Sequence, residues 1–248
     1  MLKKILIPVI IMIATGGHIF AQPEFEIDTF STPGGKLEIW CIGHGTLMFK
    51  LNNFVLHVDP VSREADYDLL PDADVILVTH SHGDHLDPGA ISKIMTPSTS
   101  VFCNESSAKD LDGAIILRNG DKYDFAGSKD IKMLIEAVPA YNIKHERSPG
   151  FPFHPKGDGN GYIINFAGKR IYIAGDTENI PEMEDIKAID IAFIPMNLPY
   201  TMSVDMAVDA GLKIKPAYLY PYHFGTSNTA ELAERLKNTD IEVRIRKF

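Results

Sequence analysis

The sequence has few cysteines, no basic excess and no apolar run beyond the N-terminus long enough to cross a bilayer, which takes roughly 20 residues. Acidic residues outnumber lysine and arginine by 33 to 24. That balance argues against a nucleic-acid binder, whose affinity depends on neutralising phosphate charge. A Gly-x-Ser-x-Gly nucleophile elbow and a glycine-rich phosphate loop are also absent. These absences favour a small-molecule substrate.

The two cysteines, Cys41 and Cys103, are too few for a disulfide framework. An oxidising compartment would permit one bond between them. Because their distance along the chain does not show whether they meet, two buried free thiols are the alternative.

The N-terminus has the order of a secretory signal peptide. A pair of lysines precedes an almost wholly apolar run over 5–14, and small residues follow up to Ala21. We therefore expect residues 1–21 to be removed and the mature protein to be periplasmic or secreted. An uncleaved membrane anchor is the alternative, which the short run, interrupted by Pro8, disfavours. Loss of the two lysines changes the net charge from −9 to −11.

The remaining chain is predicted to be mostly β, with helices between and after the strands. Short apolar runs separated by turn residues predict hairpin strands at 37–42, 46–50 and 54–58. A continuous apolar run at 75–79 predicts a strand buried on both faces. Further strands are expected at 101–102, 115–117, 131–138, 162–166, 170–174, 189–194 and 217–220, and helices at 88–95, 106–111, 203–212 and 229–237.

This order favours two packed sheets flanked by helices over a doubly wound parallel sheet, in which strands and helices alternate more regularly. We therefore predict an α/β protein. Residues 22–35 are expected to be an N-terminal extension, and residues 36–248 a single domain.

Three histidines and an aspartate follow the continuous apolar strand. His80 and His82 are two residues apart, so an extended chain turns both side chains to one side. Asp84 and His85 follow Gly83, a residue that lets the chain turn sharply. Neutral imidazole is the commonest metal ligand, and two ligand pairs this close fit two cations about 3.5–4 Å apart. A polar loop whose histidines bond only to backbone is the disfavoured alternative.

The segment His80-x-His82-x-Asp84-His85 resembles the signature of the metallo-β-lactamase-fold hydrolases. Other segments resemble that family in the same order: Gly-His-Gly-Thr at 43–46, Leu-His-Val-Asp-Pro at 56–60, Ile-Tyr-Ile-Ala-Gly-Asp-Thr at 171–177 and Pro-Tyr-His-Phe at 221–224. Segments 139–142 and 154–157 are most similar to small bacterial and archaeal hydrolases related to ascorbate-6-phosphate lactonases. The resemblance implies a four-layer αββα sandwich with the metals at one edge of the two sheets.

The resemblance also implies the metal ligands. The first metal would take His80 and His82, the second Asp84, His85 and His223, and Asp176 would bridge both. The family usually completes the first metal with a histidine after a Pro-Ala-aromatic stretch, but Asn142 stands there. His154, in a loop framed by proline and glycine, and His145, in a charged segment, are the candidates, and we favour His154.

Four further residues are expected around the metals. Asp59 would orient the metal loop without binding a metal. His44 and Tyr141 are candidates to line a pocket, with turn bonding and packing as their alternatives. Asn142, or a tyrosine hydroxyl, is a candidate to stabilise an oxyanion.

The predicted function is metal-dependent hydrolysis of a small ester, lactone or phosphodiester by a metal-bound hydroxide. Asp84 and Asp176 are the catalytic candidates that would accept or relay the proton. Nitrogen and carboxylate ligands favour two zinc ions, with manganese or iron as alternatives. Two other functions stay open, namely an iron-dependent redox protein on the same fold and a metal-binding protein without catalysis.

Overall fold

The computed structural model describes residues 25–127 and 131–248, which form two seven-stranded sheets and a separate short hairpin. The signal peptide predicted at 1–21 lies outside the described residues. Among the described helices, none is both long and apolar enough to cross a membrane.

The strands of the first sheet lie side by side in chain order. Neighbouring strands among the first four are antiparallel, and each later strand is parallel to the one before it. Its strands are β1 (Glu26–Thr32), β2 (Gly35–Gly43), β3 (Thr46–Leu51), β4 (Phe54–Val58), β5 (Val75–Leu77), β6 (Ser100–Cys103) and β7 (Ile115–Ile116). Helix α1 (Pro88–Ile94) links β5 to β6, and the helix expected at 106–111 is a short 3-10 turn, Ser107–Asp110. Because β1 pairs with β2, the folded unit starts inside the stretch that the sequence set apart as an extension.

The second part of the chain forms a mixed sheet and the short hairpin. Its strands are β8 (Lys122–Ala126), β9 (Lys132–Ala140), β10 (Glu146–Ser148), β11 (Phe151–Pro152), β12 (Gly159–Phe166), β13 (Lys169–Ile173), β14 (Ile191–Pro195), β15 (Tyr218–Tyr222) and β16 (Glu242–Val243). The order across the sheet is β16-β15-β14-β13-β12-β9-β8, and β10 pairs with β11 in the hairpin. Helices α2 (Val204–Ile214) and α3 (Thr229–Leu236) follow β14 and β15.

The buried apolar side chains form three clusters, one between the two sheets and one on the outer face of each sheet. In β5, Val75 and Leu77 belong to the cluster between the two sheets, whereas Ile76 packs in the outer cluster that contains Ile91 of α1. This strand is therefore buried on both faces, which explains its unbroken apolar run. Helices α2 and α3 cover the outer face of the second sheet. The predicted four-layer αββα arrangement is confirmed.

Cys41 and Cys103 are both buried and free. Burial raises the pKa of the two thiols to about 12 and about 11 respectively. Such thiols are unreactive near neutral pH, and of the two alternatives the structure has the free thiols.

Candidate metal centre

The predicted ligands come together at one edge of the sheets, where several strands end. The segment that holds His80 to His85 follows β5, Asp176 follows β13 and His223 follows β15. His154 lies between the β10–β11 hairpin and β12, and His44 lies in the turn between β2 and β3. Carboxyl ends of neighbouring parallel strands meet at one edge, so residues far apart in sequence share this place.

The first group of potential ligands is His80, His82 and His154, whose ligand nitrogens lie within 4.8 Å of one another. Nε2 of His80 is 3.1 Å from Nδ1 of His82. His145, the alternative to His154, lies outside this group, because its Nδ1 bonds to the Glu178 carboxylate at 2.6 Å. The geometry therefore favours His154.

The second group is His44, Asp84, His85 and His223, again with ligand atoms within 4.8 Å. Oδ2 of Asp84 lies 3.6 Å from Nε2 of His223 and 3.2 Å from Nε2 of His44. The ring centroids of His44 and His223 are 3.7 Å apart. His44 therefore lines a cleft above this group, as the sequence predicts, and also contacts Asp84 and His223 directly.

Asp176 lies between the two groups. Its Oδ2 is 3.2 Å from Nε2 of His154 and 3.4 Å from Nε2 of His223. Its Oδ1 is 3.4 Å from Nε2 of His85, and His80 is 3.9 Å away from Oδ2. A carboxylate in contact with both groups is in the position that a bridging ligand needs.

Several polar atoms at the centre are buried without a hydrogen-bond partner among the described residues. They are Nε2 of His85, Nε2 of His154, Oδ1 of Asp176 and both ring nitrogens of His223. An unsatisfied buried polar group costs about 1–3 kcal/mol, so a cluster of them indicates a missing partner. Imidazole nitrogens and carboxylate oxygens are zinc ligands, and these residues fit divalent cations.

Asp59 fixes the orientation of one of these histidines. Its Oδ2 accepts a hydrogen bond from Nδ1 of His85 at 2.7 Å, while Thr79 donates to both carboxylate oxygens at 2.8 and 2.7 Å. Nε2 of His85 is therefore left to face Asp176 and the cluster. Such carboxylate–histidine pairs orient metal ligands, and Asp59 lies where the sequence places this role.

The charge states of the buried groups suit metal binding. Burial alone would raise the pKa of Asp176, but the charges of His223 and His85 hold it well below its usual range. Burial lowers the pKa of His80, so this imidazole is neutral. For His85 burial is outweighed by Asp176 and Asp59, which raise the pKa. A cation binding here would displace the His85 proton, since ligand histidines must be neutral.

Three residues of the cluster also have unusual backbone conformations. His44, Asp59 and His223 have φ angles of 48°, 46° and 47°. Non-glycine residues rarely adopt this left-handed region, and each instance costs on the order of 1–3 kcal/mol. Such strain accumulates where function requires a particular direction of the side chain.

Known proteins agree with this geometry. The family described as the beta-lactamase superfamily domain matches residues 38–223. The chain belongs to the metallo-β-lactamase superfamily. It is 34% identical over 226 residues to a UPF0173 metal-dependent hydrolase of Pyrococcus horikoshii, which covers 83% of this chain and 94% of that one. The relatives are named metal-dependent hydrolases, and this chain is an enzyme of that kind.

Solved structures show the same fold. A protein of Parabacteroides distasonis, assigned as a metal-dependent hydrolase, superposes with a TM-score of 0.84 at 49% identity and covers 91% of this chain and 100% of its own. Igni18, a metallo hydrolase of Ignicoccus hospitalis, superposes with a TM-score of 0.68 at 22% identity, covering 85% and 95%. The second likeness concerns the fold alone.

The hydrolase has a cleft of about 600 Å³ directly over the histidine cluster. Besides the proposed ligands its walls contain Arg63, Arg147, Phe153, Asn197 and Tyr200. The sequence does not indicate the two arginines, because arginines in loops carry no local pattern that distinguishes them from other surface charges.

Two predicted pocket residues have other roles. Tyr141 does not line the cleft, since its hydroxyl donates to the Glu182 carboxylate at 3.0 Å and Lys156 lies 4.7 Å from its ring centroid. The amide of Asn142 is fully bonded to other protein groups, including His154. Its two Nδ2 hydrogens donate to Glu178 and to the carbonyl of Tyr200, so this arrangement leaves none for an oxyanion and does not support that role.

Proposed function

We propose that this hydrolase uses two divalent metal ions, zinc foremost, to cleave a small ester, lactone or phosphodiester that carries a negative charge. The observation that carries the proposal is the set of buried, unpartnered ligand atoms at the floor of an open cleft. The two arginines in the cleft wall support the inference that the substrate carries a negative charge.

The protein itself supplies the side chains that would bind the metals and the carboxylate that would accept a proton. Divalent cations held here would activate a water molecule as the nucleophile and offset negative charge in the transition state. His80, His82 and His154 would hold one ion, and Asp84, His85 and His223 the other, with Asp176 between. Of the two carboxylates, Asp84 is the one placed to pass a proton to solvent, because its side chain is 34% exposed while that of Asp176 is 3% exposed. A proton taken by Asp84 can leave to solvent.

The arginines would recognise the charged part of the substrate. Arg147 has no carboxylate within 4.0 Å among the described residues, and its guanidinium lies 5.8 Å from the centroid of Phe153. Within residues 25–127 and 131–248, the one carboxylate that pairs with Arg63 is that of the neighbouring Glu64, at 2.9 Å. A free guanidinium can bind a carboxylate or phosphate through two parallel hydrogen bonds. In a protein of net charge −9, this local positive charge would guide an anion into the cleft.

Metal analysis combined with a substrate panel tests the proposal. Purified protein should contain two equivalents of metal and hydrolyse at least one anionic member of a panel of lactones, phosphodiesters, thioesters and β-lactams. Chelation should abolish the reaction, and added zinc should restore it. Hydrolysis that survives thorough chelation would overturn the mechanism, and redox-active iron with visible absorption would favour the redox alternative.

Replacing Arg147 with alanine should raise KM for an anionic substrate about 10- to 100-fold with kcat nearly unchanged, because a charge-assisted hydrogen bond contributes about 1.5–3 kcal/mol. For an uncharged analogue with the same scissile bond, KM should be the same in the variant and in the wild type. Arg118→Ala is the control, since that exposed arginine pairs with Glu105 outside the cleft. Equal losses for the charged and uncharged substrates would contradict the assignment.

A further inference from the structure

Asn142 stands where a ligand histidine was expected, and it contacts His154 instead. Its Oδ1 accepts two hydrogen bonds from that residue, from the backbone N–H at 2.9 Å and from ring Nδ1 at 2.7 Å. Its Nδ2 donates to Oε1 of Glu178 at 3.2 Å and to the carbonyl of Tyr200 at 2.9 Å. All of these groups except Tyr200 are buried.

These contacts determine the orientation of the Asn142 amide and which ring nitrogen of His154 carries a proton. The backbone N–H of His154 requires an acceptor, and the Glu178 carboxylate requires a donor, so the Asn142 amide can take only one orientation. An amide oxygen cannot donate, and Nδ1 of His154 must therefore carry the proton. In the neutral imidazole, Nε2 is then the nitrogen with a free lone pair; it lies 3.2 Å from Asp176 and has no hydrogen-bond partner among the described residues.

Glu178 anchors the whole loop from which Asn142 projects. Its Oε2 accepts from the backbone N–H groups of Ile143 and Lys144 at 2.8 and 2.7 Å. Its Oε1 accepts from the backbone N–H of His145 at 2.8 Å, from the ring of the same residue and from Asn142. Glu178 is fully buried and follows Asp176 by two residues. The segment that presents the central carboxylate thus also holds the loop that sets His154.

We propose that Asn142 and Glu178 are positioning residues that hold His154 as an Nε2 ligand of the first metal. The role depends on the metal centre proposed above, although it does not require that the enzyme cleave any particular substrate. Groups that hydrogen-bond the second ring nitrogen of a ligand histidine fix its tautomer and orientation. An asparagine oxygen achieves this without adding a negative charge beside Glu178.

Two variants of Asn142 separate metal binding from stability. Asn142→Leu removes the acceptor, and we expect the affinity of one of the two metals to fall about 10- to 100-fold in chelator competition, the usual loss for such a partner. Asn142→Asp keeps an acceptor for His154 but places a carboxylate against Glu178. It should retain both metals and lower the melting temperature of the metal-free protein.

Asn104 provides the matched control. It is also buried, and its Nδ2 also ties a loop by donating to the carbonyl of Asp158 at 2.8 Å, but none of its side-chain hydrogen bonds within the described part of the chain reaches a histidine. Asn104→Leu should lower the melting temperature and leave both metal affinities unchanged. The proposal fails if Asn142→Leu binds both metals like the wild type, if Asn142→Asp loses a metal, or if Asn104→Leu loses one equally. Wild-type protein with two metals and no hydrolysis would overturn only the proposed reaction.

Discussion

Replacing Asp176 with asparagine is expected to release both metal ions and to abolish hydrolysis. The carboxylate oxygens lie within 3.9 Å of nitrogens from four histidines that belong to both ligand groups. Asparagine keeps the shape but loses the charge that offsets two neighbouring cations. Since the metals contribute several kcal/mol of transition-state stabilisation, the loss should be on the order of 10³-fold or more in kcat/KM.

The measurement is metal content per chain together with kcat/KM. Asp84→Asn provides a graded comparison, because Asp84 is near His223 and His44 but belongs to the second group alone, and this variant should lose one metal. Asp205→Asn is the surface control, since its side chain is 82% exposed and pairs with Arg235. An Asp176→Asn protein that keeps both metals would show that the central carboxylate does not bridge them.

The sequence predicts best what is local in the chain. Four potential ligands fall between His80 and His85 after a strand buried on both faces, so periodicity and ligand chemistry alone indicate a metal site. Asp176 and His223 lie far away in sequence, and only the resemblance to a family joined them to it. Their convergence depends on neighbouring parallel strands ending at the same edge, which no local pattern reveals.

The strands and side-chain contacts that the sequence did not predict were missed for physical reasons. Strand β8 alternates polar and aromatic residues but has only five residues, none of them fully buried, and β16 has two residues, too few to show a period. The roles of Asn142 and Glu178 rest on contacts between residues 33 to 36 apart in the chain. Tyr141 was expected near the pocket because the family resemblance places its loop near the metals. Its hydroxyl instead donates to Glu182, which is 41 residues away in the chain and comes close only in the folded protein.

Gly83 and Gly175 both lie beside proposed ligands, but only one of the two positions requires glycine. The chain turns at Gly83 as the sequence predicts, and the N–H groups of His85 and Leu86 close this turn by donating to the carbonyl of His82. A methyl group on Gly83 would meet nothing within 4 Å, and its φ is not in the left-handed region. Gly175, directly before Asp176, has a φ of +65°, and a Cβ there would lie 2.7 Å from the backbone oxygen of Asn160.

We therefore expect Gly175→Ala to lower the free energy of unfolding by about 2–5 kcal/mol, combining left-handed strain of about 1–2 kcal/mol with overpacking of about 1–3 kcal/mol. The clash is with backbone, so the chain must move and carry Asp176 with it, and metal affinity should fall as well. Gly83→Ala should stay within about 0.5 kcal/mol of the wild type and keep both metals. Urea unfolding and metal analysis of the two variants test the prediction. Equal stability and equal metal content of Gly83→Ala and Gly175→Ala would contradict the close approach between residue 175 and the backbone of Asn160.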